Sequence, residues 1–250
     1  MPEGLIVKAL SGYYYVLPAG ETAGTTIQCR ARGIFKKKGI TPLVGDKVLV
    51  ELTANGEGTV HEIFPRRTEL IRPPIANAEL AVLVFAVTEP ALNLQLLDKF
   101  LVHTEKAGMD SLICLTKADL LEKIGSGPHP DDVKRLYEQI GYDVVVTSAA
   151  SGLGIETVRQ KLSGKISVFA GQSGAGKSSL LNELVPGLKL ETGEISAKLG
   201  RGKHTTRHVE LIALPHGGFV ADTPGFSQLD FAGMEANDLT ACFREIAVLA

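Results

Sequence analysis

The stretch SVFAGQSGAGKSSLLN, Ser167–Asn182, decides how this chain is read. An apolar run ends in a glycine-rich turn, Gly171 to Ser178, with the pattern G-x-x-x-x-G-K-S, and a helix-like segment follows. Gly171, Gly174 and Gly176 carry no Cβ, so the backbone there can wrap closely around an anion. A helix starting at the end of this turn aims its free N–H groups and the positive end of its dipole at that anion. Lys177 is placed to reach the β- and γ-phosphates, and the Ser178 hydroxyl to ligate Mg²⁺. Gln172, Ser173, Ala175 and Ser179 complete the loop. The stretch predicts a strand, a phosphate-binding loop and a helix, and by itself does not choose between ATP and GTP.

Three other motifs choose. TKAD, Thr116–Asp119, follows the strand-like SLICL; Asp119 offers a bidentate acceptor for guanine N1–H and N2–H₂, which adenine cannot supply. Thr116 stands at the motif's first position, where asparagine is commonest, and the Lys117 stem is placed to lie along the base. TSAASGLG, Thr147–Gly154, ends the strand-like DVVVT, and the small residues Ser148 and Ala149 let a backbone N–H approach the guanine O6. DTPG, Asp222–Gly225, follows GFVA; Asp222 suits Mg²⁺ through water and Gly225 a γ-phosphate contact. All four motifs fall at the carboxyl ends of expected parallel strands, where open α/β sheets bind ligands. Their order is unusual. The base-reading motifs precede the phosphate loop, as if an ordinary GTPase domain had been cut after DTPG and its old ends joined.

Working outward, residues 80–232 alternate strand and helix, which predicts a largely parallel sheet. LAVLVFAV reads as a strand buried on both faces, and EANDLTACFREIAVLA as a final helix. Residues 1–66 read instead as about five short strands without a helical period, an all-β, OB-like barrel. PRRTELIRPPIANAE lies at the junction, and residues 67–79 are expected to be a linker. The formal charge of −2 gives no global sign of a nucleic-acid partner. The 3 cysteines are far apart and offer neither a disulfide framework nor a zinc site, which favours a reducing cytoplasm. No apolar run is long enough to span a bilayer.

The chain resembles the circularly permuted GTPases of small-ribosomal-subunit maturation, the RsgA (YjeQ/YloQ) family. The likeness rests on the barrel, RPPIANAE, TKAD, TSA, GQSGAGKSSLLN, DTPGF and GRGKHTTRH, Gly200–His208. It implies a GTP/GDP- and Mg²⁺-binding hydrolase that assists late maturation of the 30S subunit, working as a cytoplasmic monomer with the subunit and its rRNA as partners. By the same resemblance GKHTTR is the first switch, with Thr205 or Thr206 on Mg²⁺ and the γ-phosphate. Phe226 stands where many GTPases place a water-orienting glutamine, so His204 is the candidate substitute, and slow intrinsic turnover is expected. The family continues into a Cys/His-rich zinc domain. Residues 233–250 read as its start, but only Cys242 is present, so no zinc is expected here.

In that setting the acid-free cluster RARGIFKKKG reads as an RNA contact, with Arg30, Arg32, Lys36, Lys37 and Lys38 on phosphates and Phe35 stacking. Arg66, Arg67 and Arg72 are expected to extend it. Two rival functions fit the same motifs: a GTP-regulated binding module with negligible turnover, and an ATPase with an accessory barrel.

Overall fold

The computed structural model describes residues 1–21, 24–71, 73–123, 127–188, 190, 209–226 and 236–247; for 123, 222–226, 236–238 and 247 it describes the backbone course alone. The first unit holds β1 (Glu3–Leu10), β2 (Tyr13–Pro18), β3 (Ile27–Ala31), β4 (Lys47–Leu52) and β5 (Gly58–Ile63). β1 pairs antiparallel with β2 and with β4, β2 with β3, and β4 with β5, while β3 runs parallel to β5. The circuit β1-β2-β3-β5-β4-β1 closes a barrel, which removes open strand edges. Ile6, Val16, Cys29, Val48, Val50 and Val60 fill it. Between β3 and β4 lies a short helix, α1 (Gly33–Lys37), that no hydrophobic period announces. Little more than one turn is too short to show a 3.6-residue repeat.

The second unit follows the alternation expected. Its strands are β8 (Leu80–Ala86), β9 (Asp110–Thr116), β10 (Asp143–Val146), β11 (Ile166–Gly171), β12 (Glu210–Ala213) and β13 (Phe219–Phe226). Its first four helices are α2 (Leu94–Lys106), α3 (Pro130–Ile140), α4 (Ile155–Leu162) and α5 (Lys177–Leu184). The strand order is β10-β9-β8-β11-β13-β12, parallel except for the β12–β13 pair. β8 is buried throughout because both its faces are covered. Ala81, Leu83 and Phe85 pack with Leu97 and Phe100 of α2, and Val82 and Val84 with Val158 of α4 and Leu180 of α5. The Asn93 side chain caps α2 by accepting from Leu96 N, and Gly108 at φ 69° follows its end.

Residues 67–79 are not a loose linker. They hold a hairpin, β6 (Glu69–Ile71) with β7 (Pro74–Ala76), whose Leu70 and Ile75 join the core. Asn77 stitches it down: Nδ2 donates to Gly45 O at 2.9 Å, and Oδ1 accepts from Arg67 N at 2.9 Å. Arg66 also departs from expectation. Its guanidinium grips fully buried Asp46 through two bonds, at 2.7 and 2.8 Å, and reaches Thr41 O and Glu69 as well. It is an internal cation and does not extend a surface patch; Arg67 is exposed, and Arg72 lies outside the described residues. At the far end, the expected single helix is two short ones, α6 (Ala236–Ala241) and α7 (Arg244–Ala247). Arg244 anchors the second, bonding Glu105 and Gly141 O at 2.6 Å and stacking over Tyr142.

Candidate nucleotide-binding site

The phosphate loop leaves β11 at the point where the strand order reverses, β8 lying on one side and β13 on the other. Gly171 is forced there twice over: its φ is 138°, and a Cβ would lie 2.0 Å from Val84 O on β8. Gly174 and Gly176 have φ of 74° and 91°, and Gly176 leads directly into α5, whose first residue is Lys177. Lys177 Nζ folds back onto Gly171 O and Gln172 O, both at 2.8 Å. Burial pushes its pKa below the ordinary lysine value. Along the loop and the first turn of α5, Ser173 is exposed, Ala175 buried, and Gln172, Ser178 and Ser179 half-buried.

One of the two segments expected to read the base touches this loop, and the other is bonded to the first. Thr116 ends β9 buried, and its hydroxyl donates to Ala175 O of the phosphate loop, with Phe85 O 3.2 Å away. It therefore ties the end of β9 to the phosphate loop. Lys117, at φ 61°, donates from Nζ to Glu89 O in the turn after β8. Asp119 is exposed, and its Oδ1 accepts from the buried Ser148 hydroxyl at 2.5 Å. That hydroxyl in turn accepts from Ser151 N, and Ala118 N donates to Thr147 O. Ser148 thus fixes the orientation of the Asp119 carboxylate. Ala149 is half-buried beside it. Gly154 is required below: a Cβ there would lie 2.3 Å from Val146 O.

The sequence reading missed the turn after β8. Glu89 lends its carbonyl to Lys117, and Pro90 Cδ stands 3.8 Å from where a Gly174 Cβ would be. TEP carries no motif, and only tertiary contact reveals the turn as a wall of the site. DTPG does not follow its strand as expected; β13 runs through it. β13 pairs with β11 at Ala221↔Val168 and next at Phe226↔Ala170, so the ladder skips Asp222–Gly225. Asp222 pairs instead with Glu210 of β12. His204, Thr205 and Thr206 lie outside the described residues.

The glycine cradle and the desolvated Lys177 fit a nucleotide's phosphates. A serine hydroxyl and an aspartate, Ser178 and Asp222, are hard oxygen donors of the kind Mg²⁺ takes. Burial pushes the thiol of Cys29 to about 11 and that of Cys114 to about 12, so both stay protonated at neutral pH. On the barrel, Arg30, Arg32, Lys36, Lys37 and Lys38 are all exposed. Phe35 is not: its ring packs in the core at 8% exposure, which overturns its stacking role.

Comparison with known proteins agrees with this geometry. The RsgA N-terminal domain model matches residues 3–60, and the RsgA GTPase model residues 63–232. The chain belongs to the RsgA GTPase family. Among curated RsgA relatives, the "Small ribosomal subunit biogenesis GTPase RsgA" of Bacillus pumilus is 53% identical over 250 residues, 98% of this chain and 82% of the relative. The protein of the same name from Geobacillus kaustophilus is 51% identical over 248 residues, with the same coverage. The crystal structure of YloQ, described as a circularly permuted GTPase, superposes with a TM-score of 0.80 at 42% identity, covering 99% of this chain and 79% of that one. YjeQ from Thermotoga maritima also gives 0.80, at 34% identity, covering 98% and 82%. The barrel followed by a permuted GTPase domain is therefore the family's fold.

Proposed function

We propose that this GTPase hydrolyses GTP as an assembly factor for the small ribosomal subunit, working as a cytoplasmic monomer and holding rRNA through its barrel. The observation that carries the reading is the bond from Thr116 to the phosphate loop at Ala175 O, with the Ser148–Asp119 pair following on the same two segments, in a chain whose relatives bear the name of small-subunit biogenesis GTPases. The working division is a barrel of residues 1–66, a connection of 67–79, a permuted domain of 80–232 and a C-terminal helical segment of 233–250.

In this reading Asp119 takes guanine N1–H and N2–H₂, and the backbone at Ser148–Ala149 takes O6. The N–H groups of residues 174–178 and Lys177 hold the phosphate oxygens, whose negative charge offsets the desolvation of Lys177. Ser178, Asp222 and Thr205 or Thr206 would hold Mg²⁺, which neutralises charge on the β- and γ-oxygens when bound. His204 is assigned to hold the attacking water, because Phe226 offers no hydrogen-bonding group for it. Unchanged basal and stimulated rates in His204→Ala would remove that assignment. The test of the whole is GTPase rate with purified small subunits, large subunits or neither. Stimulation by small subunits alone is expected, and equal rates in all three would sink the proposal.

A further inference from the structure

The outer face of β2 and β3 carries a pattern that the basic cluster alone does not explain. Strand register places Tyr13 opposite Arg30 and Tyr15 opposite Gln28, so all four side chains leave the barrel on the same side. Tyr14, between the two tyrosines, packs against the barrel core. The Arg30 guanidinium lies 4.7 Å from the Tyr13 ring centroid and bonds its hydroxyl, which holds that ring in place. Arg32, the residue after β3, places Nη1 3.2 Å from Nδ1 of His61 on β5, and α1 with its exposed lysines starts at the next residue. Glu51 stands at the edge, 3.6 Å from His61.

We propose that this face is a stacking platform for unpaired RNA. Bases lie on Tyr13 and Tyr15, Arg30 fixes the first ring, and the strand's phosphates pass Arg32 toward Lys36–Lys38. This inference rests on the rRNA-binding reading above and supplies the aromatic surface that buried Phe35 cannot. Two rings on alternate residues of one strand present flat apolar faces to successive bases, and such stacking tolerates any sequence. Duplex RNA hides its base faces, so the platform selects single strands.

The test titrates the full chain against an unstructured pyrimidine-rich RNA oligomer, free or annealed to its complement, over a range of salt. Tyr13→Ser with Tyr15→Ser, which removes two stacked bases, is expected to weaken single-strand binding by roughly 30-fold or more while leaving the salt slope unchanged. Tyr13→Phe keeps the ring and most of the affinity. Lys36→Ala, Lys37→Ala and Lys38→Ala together should flatten the slope by about 2, since each phosphate left without its lysine removes about 0.7. GTP binding in every variant checks the fold. If the lysine variant weakens and the tyrosine variant binds normally, the platform is wrong and RNA binding stands. Equal affinity for the annealed duplex overturns the preference for unpaired strands. If the unaltered chain binds neither RNA, the rRNA reading and the platform fail together.

Discussion

Arg66 sits in a stretch whose arginines and prolines suggest a solvent-facing patch, yet it is the partner of a carboxylate with no exposed surface. Composition marks it as basic, but only the fold says where the charge goes. Two bonds to Asp46, one to Thr41 O and one to Glu69 leave little of the guanidinium unsatisfied, and these partners raise its pKa further above the ordinary arginine value. Removing one member of such a pair strands the other charge, so Arg66→Ala should lower unfolding free energy by about 3–5 kcal/mol in urea titration. A loss under about 1 kcal/mol would mean that Asp46 finds water in place of the guanidinium. Thr116 acts on function in a similar way. Thr116→Val keeps the shape but leaves Ala175 O without its donor, and GTP affinity should fall about 5- to 30-fold, as about 1–2 kcal/mol implies. Thr116→Ser should restore most of it, measured by nucleotide titration, which separates the hydroxyl's role from packing.

At the scale of elements, the sequence was most legible where one physical rule governs a whole segment. The unbroken apolar run at Leu80–Val87 requires cover on both faces, and the sheet supplies it with α2 on one side and α4 and α5 on the other. The phosphate loop is equally plain, because its glycines answer to backbone geometry alone. Elements held by distant partners were not legible. The β6–β7 hairpin looks like a proline-rich linker because its order comes from Gly45 and Val44, which no local pattern couples to it. The final helix breaks at Cys242–Phe243 because Arg244 is drawn to Glu105, Gly141 and Tyr142 on other elements. Asn77 is where this long-range order can be tested. It holds φ 57°, which asparagine tolerates better than most residues, and both ends of its amide are bonded. Asn77→Ala should cost about 1–3 kcal/mol by leaving Gly45 O unpaired, while Asn77→Asp should recover only the bond from Arg67 N. A stability equal to wild type would mean that the hairpin is held by its apolar contacts alone.

For the molecule as a whole, permutation changes which parts are neighbours in sequence without changing the sheet. The barrel enters the GTPase domain at β8, the centre of the strand order, and a second connection appears in space. β1 pairs with β12 at Lys8↔Glu210, and the same two side chains form an ion pair at 2.9 Å. One hydrophobic cluster runs from Ile6 and Val16 of the barrel through Ile75 of the hairpin to Phe85 and Leu97. Two domains on a flexible tether would melt independently, but a shared core and a shared sheet couple them. The chain should therefore unfold in one transition, with a calorimetric enthalpy equal to the van't Hoff value. The ion pair is a minor part of that coupling, since both side chains are substantially exposed, and Lys8→Ala should cost less than about 1 kcal/mol. The stronger test is Gly45→Val, because even a Cβ at this position would lie 1.9 Å from Ala76 O and push the hairpin off the barrel. That variant should split the melt into two transitions. The one for the GTPase domain should then shift upward with added GTP, while the one for the barrel stays put. If the unaltered chain already shows two transitions, the barrel and the GTPase domain fold separately, and the continuous core contributes packing without cooperativity.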